Sequence, residues 1–148
     1  MPYNTRTQAK EPQMTATQVQ LKESTQEYIA GLVEDSYYEE DIYVFINEHG
    51  EDTFVKYYED FVRIGESVSY DAVDAFVAEF GFDNLNQFDD AYNGEWSDFE
   101  SFAENFFNEI YGHLVPEELE SYIDYDAFAK DLAWDYVINN NYVFSRNF

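Results

Sequence analysis

The chain contains no cysteine. That absence removes disulfides, zinc–thiolate centres and a thiol nucleophile together. Basic residues are scarce: seven Lys and Arg stand against 32 Asp and Glu, a formal net charge of −25 over 148 residues. Nucleic acids and anionic membranes are bound largely through Lys and Arg, so this balance predicts neither as a ligand. Long apolar runs are missing too. None approaches the ~18 residues of a membrane span, and the N-terminus lacks the apolar core of ~7–15 residues of an export signal. The expected location is the cytoplasm. Catalytic signatures are equally absent. There is no Gly-x-Ser-x-Gly elbow, no phosphate-cradling glycine loop and no His-rich metal motif, so no catalytic residue, metal ligand or cofactor is expected. His49 and His113 flank Gly50 and Gly112, where an imidazole interacts with the last carbonyls of a helix.

What is abundant is aromatic side chain. Phe, Tyr and Trp make up 20% of the chain and apolar residues 45%. Disorder pairs high charge with few aromatics, so this composition predicts a folded core. Residues 1–22 carry Arg6, Lys10 and Lys22 against Glu11 alone. Residues 23–148 carry 31 acids against Lys56, Arg63, Lys130 and Arg146, a net of −27. Between Ile64 and Ala129 stand 17 acids and no Lys or Arg. The acidity therefore belongs to the folded part.

Residues 1–16 are polar and aperiodic and read as a flexible N-terminal tail. Residues 17–68 read as a helical region, and 69–148 as an acidic C-terminal region. Gly50, Gly65, Gly81, Gly94 and Gly112 punctuate the chain at intervals suiting helices of about three turns, each ended by a left-handed glycine. Over Tyr70–Phe80 the residues Val73, Phe76, Val77 and Phe80 form a stripe of helical period. Over Ser97–Tyr111 the stripe is Phe99, Phe102, Ala103, Phe106 and Ile110, with Ser97 and Glu100 at capping-box spacing. Residues 52–64 read as helix with Phe54, Tyr58, Phe61 and Val62 inward, and Ser24–Val33 reads as another. The run Asp41–Asn47 fits either a buried strand or a helical turn. A short helix is expected over Asp124–Asp131. Then Trp134–Ile138 and Asn141–Phe144 read as a hairpin whose tip is an Asn run, because Asn tolerates φ > 0. The expected class is α+β, helix-dominated, with short amphipathic helices and a small C-terminal β-hairpin.

Residues 89–100 approach the spacing of a calcium loop, with Asp89, Asn93, Gly94 and Glu100 at ligand or turn positions. Ala91 stands where a ligand is needed, so the segment reads as an Asn-Gly turn before a capped helix. Elsewhere the acids lack the basic neighbours that a solvated helix face normally supplies: Glu100 and Glu104 are like charges at i, i+4. Three explanations fit such a surface. It holds water in a salt-adapted protein, or it serves as an acidic interaction or cation-binding module, or it imitates nucleic acid. Carboxylates four residues apart on a helix are separated by about 6 Å of rise. Two phosphates on one DNA strand are separated by about 6.8 Å. A charge of −25 corresponds to roughly a dozen base pairs.

The segment Leu114–Leu132 (LVPEELESYIDYDAFAKDL) resembles the ArdA antirestriction family. Its pattern of Pro116, Leu119, Tyr122, Ile123, Asp124, Tyr125, Phe128, Lys130, Asp131 and Leu132 is similar to the family's antirestriction motif. Phe88–Ala103 and the ending Tyr142-Val143-Phe144 before Arg146 are similar as well, so the resemblance covers residues 71–148. It implies an elongated, acidic DNA mimic, not an enzyme. Such a protein occupies the DNA-binding groove of type I restriction–modification enzymes, acts from phages or mobile elements in a bacterial host, and forms homodimers. The mimic surface would then be carried by Asp71, Asp74, Glu79, Asp83, Asp89, Asp90, Glu95, Asp98, Glu100, Glu104 and Glu109. The motif residues Leu114, Pro116, Leu119, Tyr122, Ile123, Asp124, Tyr125 and Phe128 would lie near the dimer contact. The small β-rich domain that opens the family is not legible in residues 1–50. An acidic module sequestering another basic DNA-binding protein, or a salt-adapted protein without mimicry, are the alternative readings.

Overall fold

The computed structural model describes residues 21–148; the tail expected over 1–16 lies outside the described residues. The chain divides into two compact units, one ending at Asp74 and one spanning Ala75–Phe148. Among the described residues no helix is long and apolar enough to cross a membrane. The fold is helix-dominated α+β.

The first unit is helical. α1 (Glu23–Glu34) buries Thr25, Ile29 and Leu32, the i, i+4, i+7 line of one helix face. Its first turn is tied down from outside: Glu51 accepts the Lys22 N–H at 3.0 Å and the Thr25 hydroxyl at 2.5 Å. These hydrogen bonds hold the Glu51 carboxyl below its ordinary pKa. The ambiguous run Asp41–Asn47 is helical, inside α2 (Glu39–His49), where every residue from Asp41 to Ile46 is buried. A helix buried all round loses the polar face that would reveal its period. Gly50, at φ 93°, ends it. α3 (Glu51–Ser67) buries Phe54, Tyr58, Phe61 and Ile64. Phe45 of α2 sits edge-on to Tyr58 and Phe61, each with ring centroids 5.0 Å away.

Gly65 does not end α3. It is buried within the helix, and a Cβ there would overlap the ring of Tyr70, itself 3% exposed. The missing side chain admits the ring. Gly65→Ala is therefore expected to destabilise by about 1–3 kcal/mol, although Ala is the better helix former. A urea midpoint at or above that of the wild type would show that the ring yields freely.

α4 (Tyr70–Phe80) has the expected bounds, and Ser69 caps it by accepting the Ala72 N–H at 3.0 Å. Gly81, at φ 84°, opens a 3₁₀ segment over Phe82–Gln87. α5 (Phe88–Ala91) and β1 (Tyr92–Glu95) follow. The Asn-Gly pair is thus not a turn. Asn93 and Gly94 lie in a strand, with Gly94 at φ 93° beside a register shift between Tyr92 and Glu95. Glycine supplies the backbone such a bulge requires. α6 (Phe99–Tyr111) is capped by Asp98, whose carboxylate accepts the Ser101 N–H at 2.7 Å, and not by Ser97. Gly112 is right-handed (φ −55°) and starts a 3₁₀ turn over Gly112–Leu114. A second 3₁₀ segment, Glu117–Tyr122, leads to α7 (Tyr125–Leu132), capped by Asp124.

The C-terminal hairpin is present as β2 (Tyr136–Asn139) and β3 (Tyr142–Ser145). Asn140 and Asn141, at φ 50° and 70°, form its tip. Two left-handed central residues make the type I′ turn that matches strand twist. The sheet has a third strand not foreseen. β1 pairs antiparallel with β3, giving the order β1-β3-β2. Four residues interrupted by a bulging glycine leave little alternation to read. Phe76 joins the sheet to α4 and α5: its ring lies 5.4 Å from Phe88 and 5.5 Å from Phe144.

Candidate functional site

The predicted acids sit on short elements that each bury an apolar face and leave carboxylates outside. In the first unit, Asp71 is exposed on α4, whereas Asp74 is half-buried on the same helix. In the second unit, Glu79, Asp83, Asp89, Asp90 and Glu95 are exposed along α4, the 3₁₀ segment, α5 and the end of β1. Glu79 accepts a hydrogen bond from the Asn139 amide at 3.0 Å. Asp98 has a structural duty as the α6 cap, and that bond lowers its pKa. Glu100, Glu104 and Glu109 are exposed on α6. The residues at calcium-loop spacing are divided among α5, β1 and α6, and no group of acids among the described residues is arranged to hold a metal ion.

Acids also gather where α6 meets the motif segment. A shallow open hollow is lined by Glu104, Asn108, Glu117, Glu120 and Tyr125. Beside it, Glu100 of α6 and Asp126 of α7 come close enough for their carboxyl groups to hydrogen-bond. That bond and the Asp126 charge hold the Glu100 pKa above its ordinary value. Asp126 is lowered by the same hydrogen bond and by Lys130, 3.2 Å away. Two carboxyl groups brought this close mark a local concentration of negative charge. Glu117, Glu120 and Asp126 were not in the predicted surface. Their sequence signal, an acidic run inside the motif, was absorbed into the motif's apolar pattern.

The motif residues separate into two sets. Tyr125 and Phe128 face inward: Phe107 lies 5.6 Å from Tyr125 and 5.2 Å from Phe128, edge-on to both. Tyr125 also donates to the Asn108 side chain at 3.2 Å. Ile123 is half-buried, and Asp124 caps α7 by accepting the Ala127 N–H at 3.0 Å. Pro116 sets the entry to the 3₁₀ segment, where its carbonyl accepts the Leu119 N–H at 2.8 Å. Leu114, Leu119 and Tyr122 face outward, at 67%, 50% and 80% exposure. Ile110, expected on the buried stripe of α6, is exposed with them, as is Tyr111. The buried stripe thus ends before the helix does, at Ala103, with Phe106 half-buried.

These features define a helix-dominated α+β protein whose acids cover short capped elements and whose motif segment leaves large apolar side chains in solvent. The family model described as Antirestriction protein (ArdA) matches residues 11–144. The chain therefore belongs to the ArdA family of antirestriction proteins. The match begins well upstream of Asp71, where the motif resemblance starts. No curated protein and no solved structure matches the chain.

Proposed function

We propose that this antirestriction protein acts as a DNA mimic, occupying the DNA-binding groove of type I restriction–modification enzymes. It does so by its surface charge and performs no catalysis. The observation that carries this reading is the run of 17 acids without Lys or Arg between Ile64 and Ala129, together with the exposure of all of its acids on α4, α5 and α6 except Asp74. A groove evolved for phosphate presents Lys and Arg in register. Helices that carry several carboxylates and no Lys or Arg of their own present net negative charge to those groups. A titration of a type I enzyme with this protein, at fixed DNA, tests the reading. Inhibition should be relieved competitively by unmodified duplex; inhibition indifferent to duplex concentration refutes mimicry. Capture of some other DNA-binding protein, with no effect on any type I enzyme, would favour the acidic sequestering module instead.

The exposed group Ile110, Leu114, Leu119 and Tyr122 supports a homodimer through the motif segment. Isolated apolar side chains in solvent are ordinary, but several large ones on neighbouring turns mark a contact surface. Replacing Leu119 and Tyr122 together by Glu is expected to yield monomers in sedimentation velocity, with an unchanged far-ultraviolet circular dichroism spectrum. Retention of the dimer by that variant would place the contact elsewhere.

A further inference from the structure

A cavity of about 280 Å³ lies in the first unit. It is built by a chain reversal. α1 ends in a Schellman turn, with Ser36 N–H donating to Val33 O at 3.1 Å and Tyr37 N–H to Leu32 O at 3.0 Å. Ser36 takes the left-handed position (φ 77°) that glycine normally fills. The reversal brings Asp35, Tyr37 and Tyr38 against Asp41 of α2, Glu66 of α3 and Tyr70 of α4. No Lys, Arg or His lines the space.

The lining chemistry is selective. Tyrosine rings offer negative π-faces to a cation. Asp41 is only 2% exposed, so its carboxylate acts through a medium of reduced dielectric. The field is felt by the neighbours: burial first, then the Glu66 and Asp41 charges, push the Tyr70 hydroxyl upward from its ordinary pKa. An anion is excluded by the three carboxylates. A cofactor is excluded by size, since the volume falls just below the ~300–1,000 Å³ of drug-sized sites. Among the described residues no acid cluster is arranged for a metal ion. What remains is an organic cation the size of one side chain.

We infer that this cavity, walled by Tyr37, Tyr38 and Tyr70 and by the carboxylates of Asp35, Asp41 and Glu66, binds a guanidinium or alkylammonium group. Resting on the function proposed above, its occupant in the complex is an arginine or lysine side chain of the restriction enzyme. The pocket would then add one anchored contact to an otherwise diffuse electrostatic attraction.

The cavity itself is tested without any enzyme. N-acetylarginine amide is titrated into the ¹⁵N-labelled full chain, with the neutral citrulline analogue as control. Saturable shifts at the Ser36, Tyr37 and Tyr38 amides are expected, with a Kd on the order of millimolar for so small a ligand. The Tyr38→Ala/Glu66→Gln variant should bind at least about fivefold more weakly. Equal binding of citrulline, equal binding by a folded variant, or no saturation overturns the cavity assignment. The occupant is tested separately, by the variant's inhibition of a type I enzyme that the wild type inhibits. A loss of about fivefold or more supports the arginine or lysine assignment, and unchanged inhibition overturns it. Failure of the wild type to inhibit would refute mimicry and with it the occupant, while leaving the cation titration to decide the cavity.

Discussion

Phe76→Ala is expected to cost about 3–5 kcal/mol, the usual loss for a fully buried Phe. Phe76 is 0% exposed. Its ring meets Phe80 at 5.0 Å, Phe88 at 5.4 Å, Phe144 at 5.5 Å and Phe148 at 6.0 Å. These partners come from α4, α5, β3 and the C-terminus, so one truncation leaves a void bordered by four rings from four parts of the second unit. Domains are stable by only about 5–15 kcal/mol in total. This one also bears its own charge repulsion, which weakens the compact state. Urea unfolding followed by near-ultraviolet circular dichroism would measure the loss. A shift equivalent to less than about 1 kcal/mol would mean that the neighbouring rings close the void.

Neutralising six of the exposed acids, Asp71, Glu79, Asp83, Asp90, Glu104 and Glu109, to Asn or Gln is expected to weaken inhibition of a type I enzyme by about two orders of magnitude. Each substitution alone should change it less than about fivefold, the range of single exposed charge pairs. Distributed attraction sums over well-separated sites, whereas a discrete site fails at one residue. The gradual loss should also flatten the salt dependence, since fewer charges remain to be screened. Competition assays at two ionic strengths would measure both effects. A single carboxylate whose loss abolishes inhibition would overturn distributed mimicry. Asp98 and Asp124 are left intact because they cap helices, and far-ultraviolet circular dichroism of the variant checks that the fold survives.

Some features were legible because their signal is local. Val73, Phe76 and Phe80 declare α4 by spacing alone, and the Asn139–Asn141 run declares a hairpin because Asn accepts left-handed conformations, although the tip falls on Asn140-Asn141, one residue beyond the expected Asn139-Asn140. Other features depended on distant partners. Gly65 reads as a helix stop, yet it serves as the seat of Tyr70. Ser97 and Asp98 are both competent caps, and the φ −160° of Asp98 decided between them. The strand Tyr92–Glu95 exists because β3 offers it an edge.

By itself the sequence determined the charge, its concentration between Ile64 and Ala129, the helical class and the family motif. Each is a property of composition or of short-range period. Tertiary structure alone decided which side of each element meets water. It turned Leu114, Leu119 and Tyr122 outward and Phe128 inward from one motif. It set Glu100 against Asp126, and it closed Asp35 and Glu66 around a tyrosine-lined cavity. Those outcomes rest on contacts between residues far apart in the chain, where no local spacing records which surfaces will be covered.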